Sequence, residues 1–193
     1  MDETSELYDF VYRGQLTDES LDRAGRSRIT LAGFLDEDLA ERLSVEVLDD
    51  ELVKAAKRMA IAYTVIFAFE NTVRELLTRT LIDEYGESWW EKAVSADIRK
   101  RAERRKSDEE LHRFHGQRGE DPLNYTDLKD LTSIIKNNWP QFEPFLQNQD
   151  WAKSILDLVE RSRNVIMHSG TLDPTDIERL GMNIRDWVKQ VGS

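Results

Sequence analysis

Arg163, Asn164 and His168 stand together in the stretch RSRNVIMHSG, residues 161–170, where they interrupt the apolar pattern of an otherwise ordinary packed helix. They are either surface decoration or the chemistry of the protein. A guanidinium offers a fixed fork of donors to phosphate oxygens. An imidazole takes and gives protons near neutrality. Charge that develops in a transition state is best met by donors already in place. Spacing alone is weak support, because 18 Arg and 3 His in 193 residues give roughly 0.3 such pairs by chance. A lone histidine near a helix end also commonly serves the helix dipole.

Five residues along an ideal helix leave Arg163 and His168 about 140° apart. Asn164 and His168, four apart, share a face. Arg163 and His168 of one copy meet only if the arginine curls round, if the helix loosens near Gly170, or if a second copy faces the first across a symmetric dimer axis. The helix that carries them is predicted to start at a cap on Asp150 and to end at Gly170. Its core stripe reads Trp151, Ile155, Leu158 with Val159, Ser162, and Val165 with Ile166.

Other elements must position this helix. From Asp49 no Pro or Gly occurs until Gly86, which predicts one helix of about 35 residues, capped by Asp49 or Asp50 and closed by Gly86. Its middle, AIAYTVIFAF, is apolar nearly all round and suits a bundle centre or a dimer interface. Glu70 falls on the packing face with Tyr63, Ile66, Val73 and Leu77. A carboxylate there needs a partner. Arg74, four residues on, is the local one, and the Arg163/His168 site is the alternative. Asn71 could serve similarly.

The remaining pattern completes an all-α bundle of about five main helices around the long one. Ser88 and Glu91 form a capping-box pattern for a helix carrying Trp89, Trp90, Val94 and Ile98. That helix runs into RKRAERRK, where Arg99, Lys100, Arg101, Arg104, Arg105 and Lys106 are either a solvated face or a strip contacting nucleic-acid phosphates. Residues 107–122 read as a loop. His112 and His115 in it have no evident third ligand, so no metal site is expected. YTDLKDLTSIIKNNW reads as a helix stopped by Pro140, and QFEPFLQNQ as a turn or short helix. Asp173–Pro174 opens a last helix packing through Ile177, Leu180, Ile184, Trp187 and Val188. The five tryptophans are assigned to core and interface.

Residues 1–50 hold 14 acidic and 5 basic side chains of a chain whose net charge is −11, so the remainder is close to neutral. Residues 1–48 form an acidic segment of open role, in which LSVEVL (Leu43 to Leu48) alternates like a short strand. Residues 49–193 form the helical domain. The acidic start has no signal-peptide pattern, no run is long and apolar enough for a membrane span, and there is no cysteine. A cytoplasmic protein without membrane contact is expected.

RNVIMH matches the Arg-polar-x-x-x-His signature of the HEPN superfamily of helical ribonucleases and nucleotide-binding modules. FENTVRELLTRTLIDEYGESWW, YTDLKDLTSIIKNNWPQF and RNVIMHSGTLDPTDIERLGMNIRDW, in that order, resemble its Swt-type branch over roughly residues 55–190. The resemblance implies a HEPN-like dimer and a metal-independent endoribonuclease without cofactor, in a toxin or defence role, with RNA as substrate and an antitoxin or regulatory partner. It implies that the RNA 2′-hydroxyl attacks the adjacent phosphate, with His168 as general acid/base, Arg163 steadying the phosphorane and Asn164 positioning. The alternative reading is a non-catalytic HEPN module that dimerises and binds RNA, nucleotide or a partner. A third is a structural helical dimerisation domain with an acidic arm, favoured if His168 is buried against the core and far from Arg163 in every copy.

Overall fold

The computed structural model describes residues 37–112 and 114–192, and among them it is all-helical. The chain divides into two compact units between Val53 and Lys54. In the first, helix α1 (Glu37–Arg42) is followed by a 3-10 turn, Val45–Val47. LSVEVL is therefore not a strand. Its backbone groups close on themselves, Val47 N–H to Ser44 O at 3.2 Å and Leu48 N–H to Val45 O at 3.1 Å. A short strand with nothing to pair with would leave them open. The expected helix or loop at TDESLDRAGR lies outside the described residues.

Helix α2 (Asp50–Tyr85) is 36 residues long and spans about 54 Å. The Asp49 carboxylate accepts from the N–H groups of Glu51 and Leu52 at 3.0 and 3.1 Å. Gly86 closes the helix in the left-handed region at φ 67°. Only one arc of the apolar middle is buried: Ala62, Ile66 and Phe69 pack inward, while Ile61, Val65 and Phe67 face out.

The next helix is two helices, α3 (Trp89–Ala93) and α4 (Ala96–Glu110). Ser88 makes no capping bond and belongs to a 3-10 turn, Gly86–Ser88. Ser95 is the cap instead, accepting from Ile98 N–H at 3.5 Å. The break has a packing cause. In one straight helix Trp89 and Ile98 would point about 180° apart, whereas here both are buried together with Val94. Helix α4 also runs on through Ser107 to Glu110.

A 3-10 turn, Pro122–Tyr125, leads to α5 (Leu128–Asn137) and α6 (Trp139–Leu146). Pro140 does not stop α5. Asn138 does, its amide donating to Ala93 O at 2.9 Å and Ile134 O at 2.8 Å. Pro140 sits in the first turn of α6, where its missing N–H costs no helical bond. Helix α7 (Gln149–Met167) is capped by Asn148, not Asp150; Asn148 Oδ1 accepts from Trp151 N–H at 2.9 Å. Asn148 is extended at φ −138°, as an N-cap requires, and Asp150 lies in the first turn. Asp173 caps α8 (Pro174–Val191) by accepting from Asp176 N–H at 2.8 Å. Helix α8 buries Leu180 and Trp187, but Ile177 and Val188 are exposed, a narrower stripe than its pattern suggested.

The core joins Ile66, Val73 and Leu77 of α2 to Leu131 and Ile134 of α5, Phe142 of α6 and Ile155 and Val159 of α7. Trp187 closes it, edge-on to Phe69 at 5.5 Å and stacked on Trp151 at 5.9 Å. Two contacts set α7 antiparallel to α2. Arg163 lies beside Glu70, and Leu172 N–H points at Met59 Sδ at 3.2 Å.

Asp127 and Asp130 form a reciprocal capping box at α5. Burial pushes the Asp127 carboxyl up, but the Asp130 N–H and Arg105 outweigh it and hold it below the ordinary value of 3.8. A folded value below the unfolded one gives stability that is present above the ordinary value and lost as pH falls through the lowered one. Asp127→Asn keeps the cap and removes the charge. It is expected to lower the melting temperature at pH 7 by about 1–3 °C and to flatten the acid limb below about pH 4, as read by thermal melts across pH.

Candidate functional site

The C-terminus of α7 delivers the motif. His168 is its C-cap, with φ −100° and ψ 25°. Ser169 N–H bonds Ile166 O at 3.0 Å and Gly170 N–H bonds Val165 O at 2.8 Å. This is the Schellman closure, with the left-handed residue at Ser169, φ 61°, rather than at Gly170. Gly170 is needed for another reason: a Cβ there would lie 2.9 Å from Val165 O. The helix thus ends at the motif, and ideal helical phase no longer fixes His168 against Arg163.

Arg163 lines a cleft of about 460 Å3 over α2. Its Nε lies 3.5 Å from Glu70 Oε2, and its side chain is 34 % exposed. Glu70, whose side chain is only 14 % exposed, also pairs with Arg74 through Oε1. Both partners considered for Glu70 are therefore present. Arg74 is fully engaged: it donates to Leu123 O at 2.5 Å, Thr126 Oγ1 at 3.0 Å and Thr126 O at 3.0 Å. Arg163 has no partner besides Glu70 among the described residues, which leaves its terminal nitrogens open to the cleft. Asn71 lines the same cleft, its amide donating to Phe67 O at 2.9 Å.

His168 is exposed and, among the described residues, its ring has no hydrogen-bond or ionic partner. It does not line the Arg163 cleft in a single copy. Asn164 is exposed too; its carbonyl accepts the His168 N–H at 3.1 Å, a bond any residue there would make. The structural-domain reading would be favoured by a His168 buried against the core and far from Arg163 in every copy, and the histidine is exposed.

The basic run of α4 is divided. Arg101 pairs with the buried Asp130, and that hydrogen bond raises the arginine above its ordinary value. Arg105 donates to Tyr125 O at 2.7 Å and pairs with Asp127 at 3.0 Å and Asp130 at 3.3 Å. Arg99 donates to Val94 O at 3.2 Å. Lys100, Arg104 and Lys106 have no such partner among the described residues. These three are the cations of the run that remain open to an external phosphate. His112 and His115 are exposed beside Arg105 and Arg118, and among the described residues no cluster of three metal-ligating side chains occurs.

Sequence reasoning missed Phe67, Arg118 and Asn124, which line the Arg163 cleft. For Phe67 a signal existed: it lies three and four residues before Glu70 and Asn71, on their side of the helix. Arg118 and Asn124 come from a loop and a turn whose placement depends on long-range bonds.

A family model described as Swt1-like HEPN matches residues 65–192. No curated protein and no solved structure matches the chain. Among the described residues no helix is long and apolar enough to cross a membrane.

The closure that carries His168 makes two opposite predictions. Gly170→Ala drives a Cβ onto the Val165 carbonyl and is expected to cost about 1–2 kcal/mol. Ser169→Gly relieves a left-handed non-glycine residue and is expected to stabilise by about 0.5–1 kcal/mol. Denaturant unfolding of the two variants measures both signs.

Proposed function

The chain belongs to the Swt1-like HEPN family, and from that premise we propose that it is a metal-independent endoribonuclease acting through Arg163 and His168. The observation that carries this reading is that, among the described residues, Arg163 is paired by its Nε alone, to Glu70, and the His168 ring has no partner. Arg74 and Arg105 are tied to backbone carbonyls and carboxylates, whereas among the described residues Arg163 keeps its terminal nitrogens open and His168 keeps its whole ring open.

The reaction needs little else from the protein. The RNA 2′-oxygen forms a bond to phosphorus as the bond from phosphorus to the 5′-oxygen breaks, leaving a 2′,3′-cyclic phosphate and a 5′-hydroxyl. A base takes the 2′-hydroxyl proton, and an acid protonates the departing oxygen on the opposite side of phosphorus. Arg163 meets the negative charge of the phosphorane. The two proton transfers lie on opposite sides of one phosphorus, so two imidazoles serve them better than one. A second copy supplies the second His168. Ile61 and Val65, one turn apart on α2, are exposed apolar side chains on one side of that helix, and they provide a face for that copy. DNA, which lacks the nucleophile, is not a substrate. Glu70 holds Arg163 in place, and Asn164 contributes through its backbone carbonyl.

The non-catalytic reading, RNA or nucleotide binding without cleavage, is favoured by one observation: Arg163 and His168 do not share a cleft in a single copy. One experiment separates the two. Purified protein is incubated with mixed RNA in EDTA, beside His168→Ala and Arg163→Ala. Cleavage to cyclic-phosphate ends by the wild type is expected, with a loss of at least about 100-fold in each variant and unchanged helicity. Binding that weakens with salt, with no product from the wild type, would overturn the enzyme reading.

A further inference from the structure

The exposed phenyl ring in the Arg163 cleft has no structural task among the described residues. Phe67 is 59 % exposed in the middle of α2. It does not belong to the apolar stripe of Ile61 and Val65, because on a helix it points about 120° from the first and about 160° from the second. It shares a side with Glu70 and Asn71 and lines the cleft with them. Tyr63 stands one turn before it, the two rings 6.3 Å apart and tilted by 49°.

The groups facing this ring suit a nucleobase. Asn71 donates its N–H to Phe67 O, which leaves its side-chain oxygen free to accept. The Asn124 amide lines the same cleft and has no partner among the described residues. Its position depends on Gly119, where a Cβ would lie 2.5 Å from Asn124 Nδ2 and φ is 132°. Arg118, fixed by Glu109 at 2.9 Å and lying 5.9 Å from the Tyr125 ring, contributes a guanidinium plane. A volume of about 460 Å3 is in the range of small-ligand clefts.

We infer that this cleft is the subsite for the base of the nucleotide adjoining the cleaved phosphate, with Phe67 as its stacking platform and the Asn71 and Asn124 amides reading its edge. This rests on the RNA-cleavage reading. Residues three and four apart on a helix lie about 5–6 Å apart, so Phe67 stands about one helical turn from the carboxylate that holds Arg163. Unstacked RNA bases are commonly held on aromatic faces and read on their edges by amides. The site therefore selects the base beside the cleavage point rather than the backbone alone.

The test uses the full chain, Phe67→Ala and Phe67→Trp, and short RNAs carrying each of the four bases or an abasic residue beside the cleaved bond. Phe67→Ala is expected to lower kcat/KM by about 10-fold or more, chiefly through KM, and to flatten base preference, while Phe67→Trp retains both. The abasic RNA should cost the wild type at least a similar factor and cost Phe67→Ala less, because only the amide contacts to the base then remain to be lost. Equal cleavage by wild type and Phe67→Ala would overturn the subsite while the nuclease stands. Loss of the dimer in Phe67→Ala, read by sedimentation, would also overturn it, assigning the ring to an interface. Binding of the same RNAs with a 2′-deoxy residue at the cleaved bond reads the subsite without catalysis. Weaker binding by Phe67→Ala supports it even if no RNA is cut, and unchanged or absent binding removes it.

Discussion

A carboxylate on the packing face of a long helix constrains everything near the site. Glu70 is largely withdrawn from water, and an ionised group there is costly unless charge and hydrogen bonds compensate it. Arg74 and Arg163 supply both. Arg74 reaches on to the carbonyls of Leu123 and Thr126, so Glu70 links α2, the Pro122–Tyr125 turn and α7. Breaking that link would leave an unpaired buried charge and release the arginine that faces the cleft.

The same arrangement sorts the arginines. Those at positions 74, 101 and 105 hold loops and caps in place through carbonyls and carboxylates. Among the described residues Arg163 pairs only with Glu70, by one edge. An arginine held by one edge is oriented without being neutralised, which suits a group meant for a phosphate. His168 is placed differently, by the backbone closure of a helix end, with no side-chain partner among the described residues. The cleft with Phe67 lies on the arginine side. The proposed chemistry thus draws recognition from α2 and proton transfer from the end of α7.

Much of this was legible in the sequence wherever a single local rule decided the outcome. Asp49 and Gly86 bound the long helix, and Asp173–Pro174 opens the last one, because caps and breakers act within a few residues. Glu70 stood out as a charge in an apolar stripe, and both candidate partners are found on it. Failures occurred where distant groups decided. The ion pairs of Arg101 and Arg105 could not be read locally because their partner, the buried Asp130, is 29 and 25 residues away in sequence. The break at Val94–Ser95 serves a core that takes Trp89 and Ile98 together, which no local pattern shows. Asn148 and Asp150 are both good caps, and the extended backbone at Asn148 made the choice. The motif spacing alone left the convergence of Arg163 and His168 open, and one copy does not bring them into one cleft.

That geometry makes the two-copy site the central claim, and subunit mixing tests it most directly. Wild-type protein is exchanged with His168→Ala protein at equal amounts, and RNA cleavage is measured after sedimentation confirms that dimers have formed and exchanged. If each site needs His168 from both copies, activity follows the square of the wild-type fraction and falls to about a quarter. A fall to about one half, linear in the wild-type fraction, would show that each copy cuts by itself and would contradict the account.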